Sequence, residues 1–129
     1  DIVSVDMVTS MAQKAIVFAM ANPNPEISYD LAKEAGALIV GTGRSDRPNQ
    51  INNVLVFPGL FKGLLMSRSK SVPVELRIAS AEIIASLTQR QDLRHDSIIT
   101  DVFDSRIVPK LSKGIFDLVE RLRSQGYDL

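Results

Sequence analysis

The sequence predicts an α/β fold in which a short parallel sheet is followed by C-terminal helices. Two apolar runs, residues 15–21 and 37–41, flank a segment with helix signals at both ends, which is the βαβ rhythm of a parallel sheet. From Phe57 onward apolar residues recur at helical spacing instead. At 129 residues the chain has the length of one ordinary domain and can bury a core without covalent staples.

Each element follows from local signals. Ser4 is placed to cap a short helix whose apolar side is Val5, Val8, Met11 and Ala12. Residues 15–21, Ala-Ile-Val-Phe-Ala-Met-Ala, form the unbroken apolar run of a strand covered on both faces. Asn22-Pro23-Asn24-Pro25 ends it, because two prolines in four residues cannot stay in a hydrogen-bonded ladder. Ser28 caps a second helix over residues 29–35, with Asp30 at its positive end and Gly36 closing it in the left-handed conformation. Residues 37–41 are the second strand. A parallel pair joined by one helix takes a right-handed crossover, which leaves the loops after both strands at one edge. Ligands of open α/β sheets bind outside that edge, so residues 21–23 and 41–53 are where a site is expected.

Pro58 suits the first turn of a helix reaching over residues 59–66. Pro73 suits the start of a longer one carrying Leu76, Ile78, Ala79, Ile83, Ala85 and Leu87. Ser97-Ile98-Ile99-Thr100 has the composition of a further short strand. Asp104 or Ser105 then precedes Pro109 and a last helix with Leu111, Ile115, Leu118, Val119 and Leu122 on its apolar side. Lys113, Asp117 and Arg121 lie four apart on its solvated side, and Gly126 ends it. Two firm strands against five helices is lopsided, since open sheets usually hold about five or six strands. The chain is therefore expected to be part of a domain, and its first residue, Asp rather than Met, points the same way.

Composition excludes several chemistries. The absence of Cys excludes disulfides and thiolate metal sites. The single histidine, His95, excludes a multi-His metal centre and leaves a Ser-His-Asp arrangement with one candidate base; beside Arg94 and Asp96 it reads as a surface residue. Fifteen Lys and Arg balance fifteen Asp and Glu, which gives no net field for nucleic acid or an anionic membrane. With 5% aromatic residues and no Trp, a base-stacking platform is not expected. No apolar run approaches the ~20 residues of a membrane span, and Asp1 and Asp6 stand where a secretory signal is basic. A cytoplasmic location follows as the expectation, with neither nucleic acid nor membrane as partner.

The post-strand loops are dense in amides: Asn22, Asn24, Asn49, Gln50, Asn52 and Asn53. An Asn side chain offers two donors and an acceptor without charge, so it can hold a carboxylate, a hydroxyl or a carboxamide at fixed orientation. Turn chemistry is the other reason for Asn in loops. Gly41-Thr42-Gly43-Arg44-Ser45-Asp46 contains G-x-G after a strand, yet Asp46 stands where a dinucleotide fingerprint has its third glycine, and no helix signal follows. Arg44 and Arg47, with Lys62, Arg68 and Lys70, make a stretch able to meet an anion or to serve as a solvated surface. The acidic pairs Asp92/Asp96 and Asp101/Asp104 lack a supporting ligand for a metal.

Taken in order, longer motifs carry a resemblance. Ile16-Val17-Phe18-Ala19-Met20-Ala21-Asn22-Pro23 with Pro25-Glu26-Ile27 is followed by Gly41-Thr42-Gly43-Arg44-Ser45-Asp46, Pro48-Asn49-Gln50, Asn52-Asn53-Val54-Leu55 and Phe57-Pro58-Gly59. This series resembles the malic enzymes, in their shorter bacterial or archaeal form. Phe103-Asp104-x-Arg106-x-Val108-Pro109 resembles the F-D-x-R-x-x-P near that family's C-terminus, so the likeness covers effectively the whole chain. The resemblance implies a partial Rossmann-like parallel sheet, the second half of a dinucleotide-binding domain, with residues 1–129 as the C-terminal portion of the NAD(P)-binding domain. It implies oxidative decarboxylation of malate to pyruvate and CO2, with NAD or NADP taking the hydride and Mg or Mn assisting. It also implies that Asn22, Asn52 and Asn53 face the substrate, and that Asn22 and Asn52 face the nicotinamide, as orienting groups.

The family's catalytic Tyr and Lys, its acidic metal ligands and its G-x-G-x-x-[GA] loop have no counterpart here, and Tyr29 and Tyr127 stand in other contexts. The resemblance thus implies no catalytic residue and no metal ligand among the 129 residues. It implies a chain inactive alone, with the remainder of its polypeptide as partner and a homo-oligomeric assembly. A reading of another class is a non-catalytic half-Rossmann interaction module that buries its open face in a homo-oligomer or a partner chain.

Overall fold

Two helices begin where serines put them. In α1 (Val5–Thr9) the Ser4 hydroxyl accepts the Met7 N–H, and in α2 (Tyr29–Glu34) the Ser28 hydroxyl accepts the Leu31 N–H, both at 3.2 Å. Each bond satisfies one donor that a helix start leaves without an intrahelical partner. The structure, a computed structural model, describes residues 2–129. It comprises two units: the chain up to Asn52 together with Arg90–Ile99, and Asn53–Gln89 together with Thr100–Leu129.

In the first unit β1 (Ile16–Ala19) and β2 (Ile39–Thr42) pair in parallel, with Ile16 opposite Ile39 and Ala19 opposite Thr42. α2 supplies the crossover, and Gly36 ends it at φ +96° as its position predicted. β1 is shorter than the apolar run that announced it, and it is not covered on both faces. Val17 and Ala19 pack toward a core of Val8, Ile27, Ala32, Ala37 and Val40, whereas Ile16 and Phe18 are 54% and 49% exposed. The reason is layer count. Successive strand residues face opposite sides, and α1 and α2 both contribute to the same core cluster.

The further strand expected over residues 97–100 does not form. Arg94 and Ser97 exchange backbone hydrogen bonds at 3.2 and 3.1 Å, which closes a tight turn, and the next N–H, that of Ile98, is taken by the side chain of Asn49. A strand needs a backbone edge to pair with, and here a side chain occupies the donor.

The second unit is helical. After a 3₁₀ turn at Asn53–Leu55 come α3 (Phe57–Ser67), α4 (Val74–Ala85) and α5 (Ile107–Ser124), with Pro58 in the first turn of α3 and Pro73 capping α4. The five residues expected on the apolar side of α5 are all buried, together with Ile107. Lys113 and Asp117 pair across its exposed side. α3 approaches α5 closely because of two glycines. A Cβ on Gly59 would stand 2.7 Å from Leu111 Cβ, and one on Gly63 would stand 2.8 Å from the Ser112 carbonyl oxygen. Among the described residues no helix is long and apolar enough to cross a membrane.

Candidate functional site

The first unit carries a cleft at the carboxyl ends of its strands, and the two loops that form it are each fixed by their own residues. After β1, the Glu26 carboxylate accepts the Ala21 N–H at 3.2 Å, while the Glu26 carbonyl accepts the Val3 N–H at 3.0 Å. The loop between residues 21 and 26 is thereby closed, and the Glu26 carboxyl is held below its ordinary pKa by its own N–H and then by that of Ala21. The Asn22–Pro23 peptide within this loop is cis.

The loop after β2 folds back on its strand. The Thr42 N–H donates to the Asn49 carbonyl at 3.3 Å and the Ile51 N–H to the Thr42 carbonyl at 2.7 Å. Asn49 itself is buried with φ +56°, a backbone conformation that Asn tolerates better than most residues. Its Nδ2 donates to the carbonyls of Val40 and His95, both at 2.9 Å, and its Oδ1 accepts the Ile98 N–H at 2.9 Å. Asn49 therefore serves the fold. It joins the end of β2 to the turn at 94–97, where the side of His95 is exposed as expected.

The remaining amides divide differently. Asn22, Gly43, Arg44, Asp46, Gln50 and Asn52 line an open, largely polar cleft of about 550 Å³. Asn52 Nδ2 donates to the Gly43 carbonyl at 3.2 Å, and Gln50 Nε2 reaches the same oxygen at 3.5 Å. Asn22 lies against Gly43 and is exposed. Asn24 is exposed and is not among the cleft's lining residues, and Asn53 begins the 3₁₀ turn of the second unit. The structure thus brings Asn22 and Asn52 to one cleft, and it leaves Asn53 outside the lining.

The arginines of this loop face aspartates rather than an open anion site. Arg44 Nε and Nη2 donate to the two carboxylate oxygens of Asp46, each at 2.8 Å, and Arg47 pairs with Asp30 at 2.6 Å. The guanidinium of Arg44 holds the Asp46 carboxyl below the usual carboxylate range, and Asp46 in turn raises the pKa of Arg44. Both groups stay ionised, so the pair adds no net charge to the cleft, whose other polar side chains include the neutral amides of Asn22, Gln50 and Asn52. Among the described residues no group of three His, Cys, Asp or Glu stands where it can hold a metal ion. Glu26 and Asn49 were not singled out for these roles by sequence reasoning. Their signal is faint: an acid seven residues beyond the end of β1, and an Asn whose turn requires a positive φ.

A parallel βαβ unit with a polar cleft outside the carboxyl ends of both strands has the architecture of an α/β domain of the nucleotide-binding type, a class that binds its ligands at this edge. The particular family is shown by the sequence. The family model described as "Malic enzyme, NAD binding domain" matches residues 2–113, and the chain belongs to that family. It is 53% identical over 110 residues to the bifunctional malic/malolactic enzyme of Bacillus subtilis (strain 168), a match covering 85% of this chain and 27% of the relative. It is 44% identical over 120 residues to the NAD-dependent malic enzyme of Geobacillus stearothermophilus, covering 93% of this chain and 25% of that one. Among solved structures, the malic enzyme of Entamoeba histolytica superposes with a TM-score of 0.89 at 38% identity, over 95% of this chain and 25% of that one. The chain spans about a quarter of the length of these two relatives.

Proposed function

We propose that the protein carrying this chain oxidatively decarboxylates malate to pyruvate and CO2, with NAD or NADP as hydride acceptor and a divalent metal, Mg or Mn, assisting. The observation that carries this reading is the family match across residues 2–113. The cleft supports it, because its amides sit at the edge where the fold class binds its ligands. Asn22 makes no hydrogen bond to the protein among the described residues, so its two donors and one acceptor are available to a ligand. That donor set fits a carboxylate, a hydroxyl or the carboxamide of a nicotinamide.

In this reading Asn22 and Asn52 orient substrate and nicotinamide, with Asn53 beside Asn52 in sequence as a third candidate. Their contribution is proximity and alignment, and none of them moves a proton. NAD(P), when bound, supplies the hydride acceptor. The metal does not fit the described residues, which offer no three-ligand group, so no step is assigned to it in this chain.

The test is malate-dependent formation of reduced cofactor by the full-length protein with Mn present. The expected result is NADH or NADPH together with pyruvate, and none from the 129 residues alone. A full-length preparation that reduces neither cofactor in the presence of malate overturns the reading. The half-exposed Ile16 and Phe18 favour a second one, a non-catalytic module that buries this face in a homo-oligomer or partner chain. Self-association without turnover selects it.

A further inference from the structure

Gly43 stands between the two loops of the cleft, and both candidate amides depend on it. Its carbonyl accepts Nδ2 of Asn52 at 3.2 Å. On its other side the Asn22 amide occupies the space a side chain would fill. A Cβ built on Gly43 would lie 2.7 Å from Asn22 Nδ2, 2.8 Å from Oδ1 and 3.1 Å from Cγ, all closer than ordinary van der Waals contact. The three nearest atoms all belong to the Asn22 side chain, and none is backbone.

Backbone geometry does not require glycine here. Gly36 and Gly126 have positive φ, and Gly43 is not among the positive-φ glycines, so alanine can adopt its conformation. Packing does not require it either, in the way it does at Gly63, where a Cβ meets the Ser112 carbonyl oxygen inside a helix interface. What the missing Cβ leaves is room for one exposed, flexible amide. We infer that Gly43 is a positioning residue of this site, keeping open the space that the Asn22 amide occupies. The inference rests on the proposed malate chemistry for its kinetic consequence, but its structural part stands on its own.

This separates function from stability at a single position. Gly43→Ala moves the end of the Asn22 side chain, which can swing into the open cleft, and leaves the fold intact. The experiment is a double-mutant cycle in the full-length protein, reading malate-dependent kcat/KM and Tm for Asn22→Ala, Gly43→Ala and the pair, with a crystal structure of Gly43→Ala. Misplacing an orienting group by about 1 Å costs up to ~100-fold, so each single variant is expected to lose about tenfold to 100-fold in kcat/KM with Tm unchanged. In the Asn22→Ala background there is no amide left to displace, so adding Gly43→Ala should change kcat/KM by less than about twofold.

Multiplicative losses in the double variant, or an Asn22 amide that keeps its position in the Gly43→Ala crystal, overturn the inference. A displaced amide in that crystal with undiminished kcat/KM in Asn22→Ala sustains the positioning role. That outcome removes Asn22 from the proposed chemistry instead, so the two failures are told apart.

Discussion

Asn49→Ala offers the most direct test of how the first unit is held together. Three hydrogen bonds of 2.9 Å end on this buried side chain, two donated to the carbonyls of Val40 and His95 and one accepted from the Ile98 N–H. Alanine removes all three at once. At a net ~0.5–1.5 kcal/mol for each bond, their loss amounts to about 1.5–4.5 kcal/mol. The backbone at φ +56° adds a second cost, about 1–2 kcal/mol for an ordinary L residue in the left-handed region. Asn49→Gly loses the same bonds without the backbone cost, so it should be the less damaging change by about 1 kcal/mol. Native-state hydrogen exchange is the assay of choice, because a chain of two units need not unfold in one transition. The Ile98 amide reports directly, since its acceptor is the deleted oxygen. An Ile98 amide that keeps its protection in both variants refutes the argument, as does an Asn49→Ala protein within about 1 kcal/mol of the parent.

Three further outcomes are expected. Gly63→Ala should destabilise the second unit by ~1–3 kcal/mol through overpacking against Ser112 and Ile115, seen as a lower urea midpoint; tolerance equal to that at Gly43 refutes the close-approach argument. Asn52→Ala in the full-length protein should lower kcat/KM by about tenfold or more while Tm holds, and an unchanged value takes Asn52 out of the site. Asp104 is held well below the usual carboxylate range, first by the Arg106 side chain, then by Thr100 and the Arg106 N–H. A depressed folded-state pKa stabilises above the unfolded value of ~3.9 and ceases to do so as pH falls through the folded value. Asp104→Asn should therefore be less stable than the parent at neutral pH, with the gap closing on acidification; a gap that stays constant with pH contradicts this.

The helices were legible because their signals are local. Ser4 and Ser28 cap by reaching three residues forward, Gly36 and Gly126 end helices by their own φ, and the apolar line of α5 repeats within one turn. The parallel pair was legible too, since two apolar runs around a capped helix admit few topologies. Its boundaries moved: the first strand stops at Ala19 rather than residue 21, and the second runs to Thr42.

Sequence alone determined the family, the βαβ rhythm and the loops in which the amides lie. It did not sort those amides. Asn22, Asn49 and Asn52 are the same residue type in similar loops, and one became part of the scaffold because its partners, His95 and Ile98, lie 46 and 49 residues further along the chain. The same holds for the segment at 97–100, whose strand-like composition lost to a hydrogen bond that the Ile98 N–H donates to the Asn49 side chain. The open face of β1 follows from which side its helices pack on, and the room for Asn22 from an atom that Gly43 lacks. Periodicity and capping act over a few residues and can be read along the chain, whereas burial and hydrogen-bond partnership are decided only when distant segments meet.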